Sequence, residues 1–295
     1  MDTRFPSYLK KQTLRTGSTL KVETLVSDLH LATVCRSARC PNRNECFSRG
    51  TATFLLLGER CTRSCGFCAI ARGLPQPPDP LEPVRVAEAA RHLELRHVVL
   101  TSVTRDDLED GGAEQFRQTI LAIRDMLSQT SIEALIPDFG GNEDALQLVL
   151  SAKPDVLNHN VETVPRLYAS IRQGADYKRS LGILCAAKEI LHSVVTKSGL
   201  MLGLGEKEEE ILDVMKNLQE AGCEILTLGQ YLAPGPGHYP VKEFVLPETF
   251  DLYAQKAREL GFRSVVSGPF VRSSYMAREA LEQCLSYGKE ILWVS

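Results

Sequence analysis

Apolar and polar positions follow two different periods along most of the chain. Short apolar runs are typical of buried strands, and segments with apolar residues three or four positions apart are typical of amphipathic helices. Strand-like runs cover residues 51–57, 97–103, 132–137, 155–161, 198–204 and 224–232. Helix-like segments cover residues 84–95, 113–128, 142–152, 180–193 and 207–221.

This alternation of strand and helix predicts right-handed βαβ units built on a parallel sheet. Because the strand-like runs are apolar on both faces, we expect helices to cover the sheet. Six units are fewer than the eight of a closed TIM barrel. The predicted fold is therefore an α/β partial (β/α)6 barrel of the TIM type, with an open doubly wound sheet as the alternative. One more strand-like run, at residues 264–269, precedes a C-terminal helix.

Three segments are expected along the chain. Residues 1–50 are polar and are predicted to form an irregular N-terminal extension. Residues 51–235 contain the alternating pattern and are predicted to form the barrel. Residues 236–295 are predicted to form a C-terminal segment that closes the site.

The composition excludes several classes of protein. The chain has 295 residues, of which 43% are hydrophobic and 24% charged, so it can bury a sizeable core. Its formal net charge of −3 disfavours a nucleic-acid-binding protein. No apolar run approaches the ~20 residues that span a bilayer. We therefore expect a cytoplasmic protein that binds neither nucleic acid nor membrane.

Nine cysteines are many for such a protein, and six of them lie within residues 35–68. In a reducing compartment, crowded cysteines bind metal more often than they form disulfides. Cys61, Cys65 and Cys68 have the spacing C-x3-C-x2-C directly after the first strand. Three thiolates leave one iron of a [4Fe–4S] cluster open, and S-adenosylmethionine (SAM) is the expected occupant. A zinc site or unrelated buried thiols are the alternatives.

A second triplet, Cys35, Cys40 and Cys46, has the spacing C-x4-C-x5-C. This is not a common zinc spacing, so it predicts a second cluster with three thiolates and one weaker ligand. A disulfide or a zinc knuckle in the N-terminal extension is the alternative.

The two triplets together resemble the lipoyl synthase family of radical SAM enzymes. The motifs that carry the resemblance are CRSARCPNRNEC, CTRSCGFCAI, LTSVTRDDLEDGGA, NHNVETVPRLY, GADYKRSL, TKSGLMLGLGE, LGQYLAP and VSGPFVRSSYMA, and they lie between residues 35 and 277. The resemblance implies insertion of two sulfur atoms at C6 and C8 of an octanoyl chain bound to a lysine. It further implies two [4Fe–4S] clusters and SAM as cofactors, and an auxiliary cluster that donates the sulfur.

The resemblance also implies partners and site residues. The partners would be an octanoylated lipoyl-carrier protein (a lipoyl domain or a glycine-cleavage H protein) and an electron donor such as ferredoxin or flavodoxin. Ser273 of the RSSY motif would be the fourth auxiliary ligand, with Ser274 as the alternative. The candidates for contacting SAM are Thr101, Arg105, Asp106, Asn160, Glu162, Lys197, Ser198, Gly203, Gln230 and Tyr231, together with Gly199 and Gly205 as sites of close backbone approach.

Two other functions stay open at this point. One is another two-cluster radical SAM enzyme that inserts sulfur elsewhere, which would share the first triplet but would not require Ser273. The other is a non-catalytic iron–sulfur scaffold, which would not cleave SAM.

Overall fold

The computed structural model describes residues 5–10, 17–38, 40–48 and 52–287. The helices of these residues are α1 (Gly17–Asp28), α2 (Val34–Ser37), α3 (Arg43–Ser48), α4 (Glu82–His92), α5 (Ala113–Met126), α6 (Glu143–Ser151), α7 (Tyr168–Ile171), α8 (Tyr177–Ile190), α9 (Glu208–Glu220), α10 (Pro247–Glu259) and α11 (Ala277–Ser286). The strands are β1 (Ala32–Thr33), β2 (Thr53–Leu56), β3 (Arg60–Cys61), β4 (Ala71–Arg72), β5 (His97–Ser102), β6 (Ser131–Leu135), β7 (Val156–Asn158), β8 (Val195–Leu202), β9 (Ile225–Gln230) and β10 (Ser264–Gly268).

The main sheet has the order β1-β2-β5-β6-β7-β8-β9-β10. All neighbours from β2 to β10 pair in parallel, and only the short β1 is antiparallel. From β5 to β10, each strand of the main sheet thus lies beside the one before it along the chain, and helices lie in the connections, as expected for successive βα units. The α/β prediction is confirmed, and β10 extends the six predicted units by one more parallel strand.

The N-terminal extension is more regular than its polar sequence suggests. The prediction of an irregular segment was wrong for α1, whose Val22 and Val26 lie one turn apart and are buried in the core. Its apolar residues are Leu20, Val22, Leu25 and Val26. Because Leu20 is exposed, they do not form one buried stripe, and the helical period is weak in the sequence. The predicted boundary near residue 50 falls at residues 49–51, outside the described part of the chain.

The two ends of the sheet are different. At the amino end, Ala280, Leu281 and Cys284 of α11 pack against Val156 and Val195, at the start of β7 and β8. At the carboxyl end, the strand-to-helix loops surround an open cavity, which is where parallel barrels place their active sites. The segment between β10 and α11 therefore runs from the carboxyl end of the sheet toward its amino end. None of the described helices is long and apolar enough to cross a membrane.

Candidate active site

The first cysteine triplet lies on a loop that the rest of the barrel holds in place. Strands β3 and β4 form a small parallel ladder that closes the loop. At its centre, the Gly66 N–H donates to the carbonyl of Ile171 (2.7 Å), and the Gly66 carbonyl accepts from the Tyr239 N–H (2.7 Å). The loop is thus tied to the ends of two distant βα units, which fixes the three thiols relative to the barrel.

An ion-pair network around the buried Asp138 anchors the same loop from outside. Arg63 donates to both carboxylate oxygens of Asp106 (2.8 and 2.6 Å) and contacts Asp138 (2.8 Å), which also pairs with Arg179 (2.8 Å). Burial alone would raise the pKa of Asp138, but Arg63 and Arg179 hold it well below its usual range. Asp138 is therefore ionised at neutral pH and holds the loop electrostatically.

The second triplet lies on the N-terminal extension and contacts the C-terminal RSSY segment. Asn42 donates its side-chain N–H to the carbonyl of Phe270 (2.6 Å), and the Tyr275 hydroxyl donates to Glu45 (2.9 Å). These contacts join residues more than two hundred positions apart in the chain. The fold thereby brings the RSSY motif to the triplet.

The cysteines of both triplets line one cavity of about 560 Å³. Its wall includes Cys35, Cys40, Cys46, Cys61, Cys65, Cys68, Ser273 and Ser274. Within the part of the chain that the structure describes, no three His, Cys, Asp or Glu side chains converge where one ion could bind. A [4Fe–4S] cluster makes a different demand, because each cysteine binds a different iron and the ligands are spread around the cube.

All nine cysteines are free thiols, so the disulfide alternative is not supported. Burial raises the pKa of Cys65 to about 12 and the pKa values of Cys35 and Cys68 to about 11. Without bound iron, these thiols are therefore protonated at neutral pH. Binding of iron requires the thiolate, so it would release their protons.

Five of the ten SAM candidates line this cavity: Thr101, Asn160, Glu162, Gln230 and Tyr231. Glu162 has a left-handed backbone (φ +65°), which two backbone hydrogen bonds to Gly199 and Met201 of β8 maintain. Strain of this kind persists only where the surroundings enforce it and is concentrated at functional sites. Desolvation raises the pKa of the Glu162 carboxyl, while Asn160 donates to it (3.1 Å).

The other five candidates lie outside the cavity wall, each for a local reason. Lys197 and Ser198 belong to β8, which begins at Val195, so they lie low in the sheet rather than at its carboxyl end. Lys197 pairs there with Glu133 (2.9 Å). Arg105 is almost fully buried and pairs with Asp107 (2.8 Å).

The last two of these candidates hold loops in place. Asp106 anchors the first triplet through Arg63. The carbonyl of Gly203 accepts a backbone hydrogen bond from Lys242 (2.8 Å), which covers it with the loop after β9.

Two further residues of the cavity wall affect its charge and its space. Arg172 was not singled out from the sequence. It lines the cavity and donates to the Tyr168 hydroxyl (3.0 Å). Its positive charge acts to lower the pKa values of Cys65 and Glu162, against the effect of burial. No motif in the sequence identifies it, because its position depends on the fold. At Gly199 a Cβ would lie 2.9 Å from Asn160 Oδ1 and 2.6 Å from Thr227 Oγ1. This glycine therefore keeps the space beside Asn160 free.

Two solved structures have the same fold at low sequence identity. Methylornithine synthase (PylB) matches with a TM-score of 0.56 at 14% identity, covering 92% of this chain and 80% of the other. HydG, a maturase of the [FeFe]-hydrogenase, matches with a TM-score of 0.57 at 13% identity, covering 90% and 66%. At these identities the likeness concerns the fold alone.

Sequence comparison is more specific. The family model of the Radical SAM superfamily matches residues 55–218. Lipoyl synthase of Caldicellulosiruptor saccharolyticus is 53% identical, covering 95% of this chain and 98% of that protein. Lipoyl synthase of Chlorobium phaeovibrioides is 55% identical, covering 93% of this chain and 96% of that protein. The chain belongs to the lipoyl synthase family.

Membership of this family decides between the functions left open by the motifs. The chain is a radical SAM enzyme with lipoyl synthase function, so neither another sulfur-inserting enzyme nor a non-catalytic scaffold is supported. Membership of the superfamily implies a [4Fe–4S] cluster and SAM as cofactors.

Proposed function

We propose that this chain inserts two sulfur atoms, at C6 and C8, into an octanoyl chain attached to a lysine of a carrier protein. The observation that supports this proposal best is the single cavity that both cysteine triplets and the RSSY motif line. A substrate carbon in this cavity would be exposed to both sites without leaving it. Shared access is what a reaction needs when one site activates the carbon and the other supplies the sulfur.

We assign each cluster to its own set of ligands. The radical site would be held by Cys61, Cys65 and Cys68, and the auxiliary cluster by Cys35, Cys40, Cys46 and Ser273. When bound there, the clusters would supply the electron for cleavage of SAM and the sulfur for insertion. Ser273 is preferred to Ser274 because its hydroxyl points into the barrel, toward Asn158 and Asn160.

The protein's own residues would orient SAM and exclude water. Asn160 and Glu162, at the carboxyl end of β7, are suited to bind ribose hydroxyls. Thr101, Gln230 and Tyr231 complete the cavity wall, while the candidates outside it would act by positioning loops and strands. Leu55, Val103, Leu135, Leu200 and Met201 also line the cavity. Their apolar surface would accept an octanoyl chain and protect a radical from water.

The division of the chain follows from the same assignment. We propose that residues 1–50 provide the auxiliary thiols, that residues 51–235 form the radical SAM barrel, and that residues 236–295 supply the serine ligand. The partners would be an octanoylated lipoyl domain or glycine-cleavage H protein, and a ferredoxin or flavodoxin as electron donor.

Anaerobic turnover tests the proposal. Reconstituted full-length protein is reduced and incubated with SAM and an octanoyl-lysyl peptide, and the peptide is analysed by mass spectrometry. We expect the peptide to gain two sulfur atoms with no net loss of hydrogen as the reduced dithiol, and to lose two hydrogens on oxidation to the cyclic disulfide. Formation of 5′-deoxyadenosine with an unchanged peptide would contradict the assigned substrate.

Single variants then test the ligands. Cys40→Ser should abolish sulfur insertion while SAM cleavage persists, because it removes a thiolate from the auxiliary site alone. Cys185→Ser is the matched control, since Cys185 is exposed on α8 outside the cavity wall, and it should retain activity. Ser273→Ala should lose sulfur insertion and Ser274→Ala should keep it; the reverse result would move the ligand to Ser274.

A further inference from the structure

A chain of hydrogen bonds runs through the barrel interior and includes Ser273. Asn158, the last residue of β7, donates one side-chain N–H to Ser273 Oγ (2.7 Å) and the other to Glu133 Oε1 (2.8 Å). Both residues that Asn158 contacts are separated from it by long stretches of sequence. Asn158 is fully buried, so water cannot replace either contact.

The ion pair below Asn158 fixes which way its amide faces. Glu133 receives Lys197 Nζ at 3.0 and 2.9 Å, and both side chains are fully buried. A carboxylate held in this way accepts hydrogen bonds only, so it selects the N–H edge of the Asn158 amide. Rotating the amide would place its oxygen against the Glu133 carboxylate. The second N–H of Asn158 is consequently directed at Ser273.

The contact on the other side of Ser273 leads to the radical site. Ser273 Oγ donates to Asn160 Oδ1 (3.1 Å), and Asn160 donates to Glu162 (3.1 Å). The serine oxygen therefore lies between an N–H donor below and a carbonyl acceptor at the cavity wall. If Ser273 bound iron as the alkoxide, its proton would pass to solvent and the Asn158 N–H would remain a donor to the oxygen.

We propose that Asn158 is a positioning residue for the auxiliary site, and that the Glu133–Lys197 pair in turn orients Asn158. This inference rests on the proposed role of Ser273 as the fourth auxiliary ligand. Groups that hydrogen-bond to a metal ligand orient it, and their loss typically costs about 10–100-fold in metal affinity. Asn158 then controls how firmly the corner iron opposite the three thiolates is held.

The experiment measures iron release from the auxiliary cluster alone. Full-length protein carrying Cys61→Ala, Cys65→Ala and Cys68→Ala is reconstituted, and iron transfer to a ferrous-ion chelator is followed anaerobically. In this background Asn158→Leu should release iron about 10–100-fold faster. Asn158→Asp should do the same, because it keeps the volume of the side chain but replaces the donor with an acceptor.

A control variant and a replacement of the serine ligand distinguish the positioning of Ser273 from a general loosening of the barrel. Asn142→Leu removes the cap of α6, outside the cavity wall, and should leave the release rate unchanged. A thiolate at position 273 binds iron strongly without a donor below it. In a Ser273→Cys background, the acceleration caused by Asn158→Leu should therefore fall to less than about 3-fold, measured as a double-mutant cycle.

Each other outcome has a definite meaning. If Ser273→Ala accelerates release and Asn158→Leu does not, the positioning role is wrong and the ligand assignment stands. If Ser273→Ala leaves the rate unchanged, Ser273 is not the ligand and both fail. If Asn158→Leu accelerates release equally in the Ser273→Cys background, its effect is a general loosening of the barrel, which also overturns the inference.

Discussion

Replacing Gly229 with alanine should displace the RSSY segment by a known amount. Gly229 lies in β9, and a Cβ built on it would be 2.1 Å from the carbonyl oxygen and 3.0 Å from the carbonyl carbon of Val271. Both atoms are backbone, two residues before Ser273, so no side-chain rotation relieves the clash. The segment must recede by about 1 Å, and misplacement of that size can cost about 100-fold in rate.

The change should also be measurable as stability. Overpacking of this kind costs about 1–3 kcal/mol, and each kcal/mol lowers the melting temperature of a domain near this size by about 2–4 °C. We expect Gly229→Ala to melt earlier and to lose auxiliary iron, while the radical site still cleaves SAM to 5′-deoxyadenosine. Thermal melting, iron analysis and 5′-deoxyadenosine formation measure the three effects separately.

A glycine in a helix supplies the matched control. Gly182 lies in α8, and a Cβ added there would have no atom within 4 Å, so alanine adds helix propensity without a clash. Gly182→Ala should raise stability by about 0.5–1 kcal/mol and leave auxiliary iron unchanged. If Gly229→Ala kept its stability, its iron and its sulfur insertion, the close packing of Val271 on β9 would not position Ser273, and the reasoning would be refuted.

Two further predictions concern groups buried in the barrel. Lys197→Met leaves the carboxylate of Glu133 buried without its cation, so it should lower the free energy of unfolding by about 3–5 kcal/mol in urea titration. Adding Glu133→Gln should recover part of this loss, and a single variant as stable as the wild type would contradict the buried pair. Burial, with the nearby charge of Arg172, lowers the pKa of His159 to about 3. The unfolded chain then takes up a proton below about pH 6.5 that the native chain does not, so stability falls from that pH toward pH 3. His159→Gln should reduce this slope in urea titrations across the same pH range, and an unchanged slope would show that His159 does not titrate as the fold implies.

The regular elements of the barrel could be predicted from the sequence because their periodicity is local. The helix predicted at residues 113–128 is α5 (Ala113–Met126), and the strand predicted at residues 224–232 contains β9 (Ile225–Gln230). The largest shift of a strand start is at β8, which begins three residues before the predicted residue 198. Thr196, Lys197 and Ser198 are polar, so the apolar run begins later than the strand. Lys197 was expected at the site from the resemblance, and the earlier start of β8 places it beneath the site instead.

The residues of the candidate site also fall into two groups: those that a local motif identifies and those that only the fold brings together. The cysteine spacings are local, and all six thiols lie on the wall of one cavity. Arg172 lies outside the motifs, and although Asn158 opens the motif NHNVETVPRLY, its role depends on a contact with the distant Ser273. A lone histidine such as His159 is commonly a core residue, and here it is hydrogen-bonded to the Ile136 carbonyl (2.9 Å) and to Ser180.

The incomplete barrel explains how a C-terminal motif can reach the interior at all. A closed eight-stranded barrel fills its centre with layers of side chains and leaves no passage for another segment. Here the described strands form an open sheet, with β1 and β10 at its edges. After β10, the chain packs Val271 closely against β9 and brings Ser273 to Asn158 on β7. From the N-terminal extension, Asn42 donates to the carbonyl of Phe270. Two segments distant in sequence therefore share the interior with the strand ends. The Glu133–Lys197 pair would be unfavourable in an apolar barrel core. Here it lies below Asn158, through which it can support the incoming serine.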